Sequence, residues 1–213
     1  MLNSDYKNKW WVMASVAMGI FLTTIDGSIV NIALPSLVID LHEPLGTVQW
    51  VVLSYLLVVT TLMLSVGRLA DMIGRKKLYL AGVAIFTTGS LLCGLAPNVY
   101  WLIGFRVLQG LGASMTQALG TAIVADAFPM EERGKAMGVI GGIVSIGVIA
   151  GPTLGGLILG ALTWHWLFFV NLPVGVIAFF LCWKFIARDR VGAAERFDFP
   201  GAAAMFLTFL SFF

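Results

Sequence analysis

Long apolar runs separated by short polar stretches dominate the chain. Runs over 11–37, 48–67, 78–96, 99–125, 136–162 and 166–187 are each long enough to cross a hydrocarbon core of about 30 Å as a helix. Only helices suit these lengths, because a backbone in lipid has to satisfy its own polar groups. A further run starts near Phe199 and stops at Phe213, too short to span. The pattern predicts an all-α transmembrane protein. A polar N-terminus over 1–10 is followed by six helices within 11–187, a polar linker over 188–198 and the start of a seventh helix over 199–213. The first run is too long for the core of a secretory leader and has no small-residue cleavage site, so it is expected to be retained. The closing "FLTFLSFF" lies inside an apolar run and reads as an interior point of a longer protein.

Composition agrees with a lipid environment. Of 213 residues, 59% are apolar and only 11% charged, too few charges to cover a soluble domain of this size. The net charge of +2 says little by itself, and no nucleic-acid partner is expected. Placement says more. Lys7, Lys9, Arg68, Arg75, Lys76, Lys77, Arg133, Lys135, Lys184, Arg188, Arg190 and Arg196 all fall on one side of the predicted bundle. The loops on the other side, around 38–47, 96–98 and 163–165, carry no lysine or arginine. The positive-inside rule makes the basic side cytoplasmic, with the N-terminus inside and the protein multi-pass in the cell membrane. Trp10, Trp11, Trp50, Tyr100, Trp101, Trp164 and Trp166 sit near span ends, as an aromatic belt would. Cys93 and Cys182 fall in separate apolar runs and read as buried small hydrophobes.

The thirteenth basic residue, Arg106, lies inside a span, as does Asp26. Charge at membrane depth is costly, so both are functional candidates. At 1.5 Å per residue Asp26 is roughly 22 Å along its run from Trp11, and Arg106 roughly 10 Å from Val99 on a run of opposite direction. Both fall in a similar layer, and Arg106 is expected to face Asp26 across a cavity, directly or through water. Arg106, Gln109, Gly110, Ala113, Gln117 and Gly120 share one helix face of small or polar residues. Thr24, Gly27, Ser28 and Asn31 form a second such stripe, with Asp26 at its edge. Burial raises a carboxylate's proton affinity and a nearby guanidinium lowers it, so such a pair suits proton coupling. The alternative is an ion pair that only ties two helices together.

Two further stretches carry pattern. In "GVIGGIVSIGVIAGPTLGGLILG", Gly147, Gly151 and Gly155 recur every four residues, which lets another helix approach closely, and Pro152 removes a backbone hydrogen bond. In "GRLADMIGRKKLYLAG", Gly67 and Gly74 are expected to permit tight turns, and Asp71 to lie near the N-terminal side of the next helix. Asp126 is a candidate partner for Arg75, the two forming a latch on the basic side. His42 and His165 fall in loops on the other side, far apart in sequence and expected to be solvated.

These stretches in this order resemble the major facilitator superfamily, and within it the fourteen-helix drug:proton antiporters. "GRLADMIGRKK" resembles the loop signature after helix two, with Met72 where a basic residue is usual. "RVLQGLGAS" resembles the helix-four signature at Arg106, Gln109, Gly110 and Gly112. "GVIAGPTLGG" resembles the antiporter signature of helix five at Gly147, Gly151, Pro152, Gly155 and Gly156. "TTIDGSIVNIALP" is similar to the helix-one signature at Asp26, Asn31 and Pro35, and "WHWLFFVNLPVG" to that group's entry into helix six. The resemblance implies two inverted three-helix repeats forming the N-terminal half of a transporter, with spans one and four lining a central cavity. It implies proton-coupled export of a small amphipathic or cationic compound by alternating access. Asp26 would carry or sense the proton and Arg106 would set the balance. Thr24, Asn31, Gln109 and Gln117 would meet substrate, and Gly67, Asp71, Gly74, Arg75 and Asp126 would form the cytoplasmic gate. The partners implied are the bilayer, the substrate and a C-terminal half of the same transporter. The proton is the coupling ion, and no other cofactor or metal is expected. Alternatives are a same-fold transporter of a metabolite, siderophore or sugar, a receptor or regulator that does not transport, or a homodimer of six-span units. An enzyme is not expected, since no nucleophile–base pair, metal cluster or phosphate loop is visible.

Overall fold

The computed structural model describes residues 8–187. The expected linker over 188–198 and the seventh-helix start over 199–213 lie outside the described residues, as does most of the N-terminal tail. Within the described residues the chain is helical throughout, without strands. Helix α1 is Lys9–Leu41, α2 Leu45–Ile73 with a turn at Gln49, and α3 Arg75–Gly94. Helix α4 is Val99–Ala127, α5 Arg133–Ala161 after a 3-10 turn at Met130–Glu132, and α6 Trp166–Phe185 with a turn at Val170.

Five helices, all but α4, are long and apolar enough to cross a membrane. Helix α4 has 29 residues, so it is long enough, but its polar and glycine content lowers its hydropathy. Packing explains the difference. Helix α4 lies against α3, α2 and α1, so most of its surface meets other helices and not lipid.

Local chemistry sets the helix ends. Asn98 caps α4 by accepting the backbone N–H of Tyr100 and Trp101, both at 3.1 Å. Gly74 has φ 106° and makes the turn from α2 into α3, a conformation that favours glycine. Gly67 makes no such turn: it lies inside α2 with nothing within 4 Å of an added Cβ. Asp71 likewise belongs to the last turn of α2, before the start of α3.

Glycines also set how closely the helices approach. A Cβ at Gly112 would stand 2.3 Å from the Phe86 backbone nitrogen and 2.6 Å from the Gly82 carbonyl, so α3 and α4 touch backbone to backbone. The interior is divided along the helix axes into two apolar clusters. One holds Val16, Ile20, Tyr79, Phe86, Leu119 and Cys182, and the other Ile29, Leu37, Val51, Cys93, Leu102 and Phe168. Along α1, α3, α4 and α6 the switch from one cluster to the other falls at Asp26, Ser90, Arg106–Gln109 and Asn171.

Among the described residues, basic residues other than Arg106 gather at one end. Lys9 pairs with Glu132 at 2.5 Å, Lys135 stands over Trp10, and Lys76 donates to the carbonyls of Trp183, at 2.8 Å, and Ile186. Of the expected aromatic belt, Trp10, Trp11, Trp50, Tyr100, Trp101 and Trp166 are exposed. Trp164 is not. It is buried and packs edge-on against Phe168 in the second apolar cluster.

Candidate functional site

The polar layer between the two clusters is built from single residues on separate helices. Asp26 projects from α1 into the bundle. At 3.6 residues per turn, positions two apart lie about 200° apart around a helix, so Thr24 and Ser28 point nearly the opposite way. Ser28 reaches α5, donating to the Val148 carbonyl at 2.9 Å. The edge position expected for Asp26 is therefore a separate, inward face.

Both oxygens of Asp26 are engaged. Oδ2 accepts from Arg106 Nη1 at 2.5 Å, and Oδ1 accepts from Gln109 Nε2 at 2.9 Å and Asn171 Nδ2 at 2.8 Å. Arg106 is held independently. Its Nε donates to the Val51 carbonyl at 2.9 Å and its Nη1 to Gln109 Oε1 at 2.7 Å. Its guanidinium carbon stands 4.0 Å from the centroid of the Tyr55 ring, a cation–π contact, while Nη2 has no hydrogen-bond partner. Ser90 Oγ accepts from Gln109 Nε2 at 2.6 Å and from Asn171 Nδ2 at 3.1 Å. Asp26, Ser90, Arg106 and Gln109 have no exposed surface. The pair meets directly, enclosed by apolar clusters above and below, and no cavity separates Arg106 from Asp26.

The face of α4 expected to line a cavity is, for much of its length, a packing face. Gly110 lies against the Tyr55 carbonyl and Val58 of α2, and Gly120 against Ile20 and Val16 of α1. Gln109 is committed to the buried layer. Gln117 and Thr24 are half-buried, and Asn31 is exposed, its amide donating to the Gly27 carbonyl at 2.9 Å.

The glycine stripe of α5 separates into two groups. An added Cβ would stand 3.2 Å from Thr24 at Gly147, 2.6 Å from Ser28 at Gly151 and 2.9 Å from Ile29 at Gly155. These three make the close contact with α1. Gly156 has open space around it and Pro152 is exposed, so both face away from α1.

At the basic end Arg75 bridges two carboxylates, Asp126 of α4 at 2.5 Å and Asp71 of α2 at 3.2 Å. At the opposite end Asp40, His42, Thr163, Trp164 and His165 line one depression of about 580 Å³. The two histidines, remote in sequence, thus line the same depression. His165 is only half exposed and stacks on Trp164 with ring centroids 3.7 Å apart. Burial holds its proton affinity below the usual histidine value, against the opposing charge of Asp40.

Sequence reasoning missed Ser90, Tyr55 and Asn171. Asn171 did leave a signal. An amide in an apolar run is costly to bury without a partner, and "FVNLPVG" sets one there. Its partner could be identified only once α6 was placed beside α1.

The family model of the Major Facilitator Superfamily matches residues 16–213. The chain is 44% identical over 92% of its length to the riboflavin transporter RibZ of Clostridioides difficile, of which it spans 43%. It is 40% identical over 89% of its length to the multidrug resistance protein Stp of Mycobacterium tuberculosis, of which it spans 35%. The chain is thus less than half as long as these curated relatives. Its fold is similar to that of the human organic anion transporter MFSD10, with a TM-score of 0.70 at 18% identity, covering 92% of this chain and 53% of that one.

Proposed function

This chain belongs to the Major Facilitator Superfamily, and on that premise we propose that it is the N-terminal half of a proton-coupled exporter working by alternating access. The observation that carries the proposal is the carboxylate–guanidinium pair sealed at mid-bundle, Asp26 with Arg106. A buried carboxylate held by one cation and two amides can exist in two charge states, and changing the charge changes what the neighbouring helices must satisfy. Asp26 takes up the proton and Arg106 sets the balance between the two states. Contacts in which α1 packs on α5 and α4 packs on α2 support a reading as two inverted three-helix repeats.

In this reading the Asp71–Arg75–Asp126 cluster is a cytoplasmic latch that favours one conformation, and Gly147, Gly151 and Gly155 hold α5 closely against α1. Thr24, Asn31 and Gln117 meet substrate together with residues of the C-terminal half. The N-terminus is cytoplasmic and the basic end faces inward. The substrate class is a small amphipathic or cationic compound, and a relative named a multidrug resistance protein supports a drug as cargo. A second reading has its own support: the relative at 44% identity is named a riboflavin transporter, so a flavin-like metabolite is the alternative cargo.

The test uses inverted membrane vesicles containing the full-length protein and an imposed pH gradient. Cationic dyes and riboflavin are added separately, with Asp26→Asn as the comparison. Collapse of the gradient by a dye, absent in Asp26→Asn, supports the export reading, and a response to riboflavin alone moves the cargo to the second. A gradient that collapses equally in Asp26→Asn removes Asp26 from the proton pathway.

A further inference from the structure

Asp26 is surrounded only by hydrogen-bond donors. Arg106 Nη1, Gln109 Nε2 and Asn171 Nδ2 all donate to its carboxylate. This shell suits the ionised form, which only accepts. A protonated carboxylic acid carries an O–H and needs an acceptor. If Asp26 is to hold a proton without an unmatched buried donor, one of these three partners has to turn an acceptor toward it.

Arg106 has no acceptor to offer. Its bonds to the Val51 carbonyl and Gln109 and its place over Tyr55 hold it where it is, whatever the charge on Asp26. Gln109 is pinned as well. Its Oε1 accepts from Arg106 Nη1 and, at 3.6 Å, from Cys93 Sγ, so turning its amide over would aim an NH2 group at a guanidinium. Asn171 has no such constraint on the bonds it makes. Its Nδ2 donates to Asp26 Oδ1 and to Ser90 Oγ. Turned over, its Oδ1 can accept from the protonated Asp26 and from the Ser90 hydroxyl, which rotates freely. Both contacts persist with their direction reversed.

Resting on the proton-coupling reading above, we propose that Asn171 is the positioning residue that reads the charge of Asp26: its amide turns over when Oδ1 takes up the proton. The proton adds to Oδ1 and no other bond to hydrogen breaks. Asn171 begins the second part of α6, directly after the turn at Val170. The charge on α1 is thereby registered at the one break in α6. The other titratable or charged groups near Asp26 are Arg106 on α4, Tyr55 on α2 and Cys93 on α3. Helix α5 carries charge only at Arg133 and Lys135 and α6 only at Lys184, all toward the basic end.

Infrared difference spectroscopy of the full-length protein between high and low pH reads this directly, with Asp26→Asn identifying the Asp26 carboxylic-acid band. Asn171→Leu fills similar space with neither donor nor acceptor. It is expected to raise the Asp26 midpoint by about one pH unit, tenfold in proton affinity, because a bond to the charged form is stronger than one to the neutral form. It should also move the acid carbonyl band to the higher frequency of an acid without an acceptor. Asn171→Ser keeps a group that both donates and accepts, and is expected to shift midpoint and band less. If Asp26 titrates with wild-type midpoint and carbonyl frequency in both variants, the role of Asn171 is overturned and proton coupling through Asp26 stands. If wild-type protein shows no band that Asp26→Asn removes, Asp26 does not titrate and both proposals fall.

Discussion

Two ion pairs in this chain have the same nitrogen–oxygen separation, 2.5 Å, and little else in common. Arg106–Asp26 has no exposed side-chain surface on either partner, whereas Arg75–Asp126 leaves 35% of the arginine and 62% of the aspartate open. Distance therefore does not rank them; surroundings do. At the open pair water and salt weaken the attraction, and such pairs contribute about 0–1 kcal/mol. At the closed pair both charges have left water, and that loss is offset only because amides and a backbone carbonyl fill the remaining sites. An open pair can break and re-form during a conformational cycle. A closed one is fixed until its charge changes, and that difference underlies the proposal of a latch at one and a coupling site at the other.

Removing one partner of the closed pair is the strongest way to break the comparison. Asp26→Ala or Arg106→Ala is expected to destabilise the full-length protein by about 3–5 kcal/mol, read as a fall in thermal unfolding midpoint in detergent. Combining Asp26→Leu with Arg106→Met should restore most of that stability, since no charge is left unpaired. A double variant as unstable as either single one would place the loss in packing instead.

A smaller effect is expected from crowding the wall around the pair. A Cβ at Gly89 would stand 2.8 Å from the Cα of Gln109, pressing on the residue that bonds both Asp26 and Arg106. Gly89→Ala should cost about 1–3 kcal/mol as overpacking. Gly104→Ala, on the same helix pair with nothing within 4 Å, should be close to neutral in the same unfolding assay.

The two pairs also differ in how far the sequence revealed them. Asp71, Arg75 and Asp126 sit at helix ends, where loop signatures and charge placement expose them. The depth of Asp26 and Arg106 followed from counting residues along two antiparallel runs, and their contact is direct as one option allowed. What the count could not supply was direction around the helix. Gln109 looks like part of a polar stripe on α4, and only the approach of Gly89, which leaves no room between α3 and α4, turns that stripe inward. Ser90 and Asn171 belong to no polar stripe, and the one signal, an amide set in an apolar run at Asn171, names no partner. Trp164 failed for the mirror reason: its position at a span end suggests an interface, but its ring packs into the second apolar cluster and is buried. Charges at ends are legible one helix at a time, whereas a shared interior layer exists only between helices.

The smallest effect discriminates best between the two environments. Asp126→Asn is expected to lower stability by less than about 1 kcal/mol at low salt. That difference should shrink further as salt rises from 0.1 M to 1 M, where the screening length falls from about 10 Å to about 3 Å. Salt acts on charges it can reach, so wild type at high salt should approach the variant. The larger loss in Asp26→Ala should stay constant over the same range, because no ion enters a layer closed by apolar clusters at both ends. Unfolding midpoints of three proteins at two salt concentrations are enough to decide it. If the Asp26→Ala difference shrinks with salt as the Asp126→Asn difference does, ions reach the mid-bundle pair. Its isolation, and with it the distinction between latch and coupling site, would then be lost.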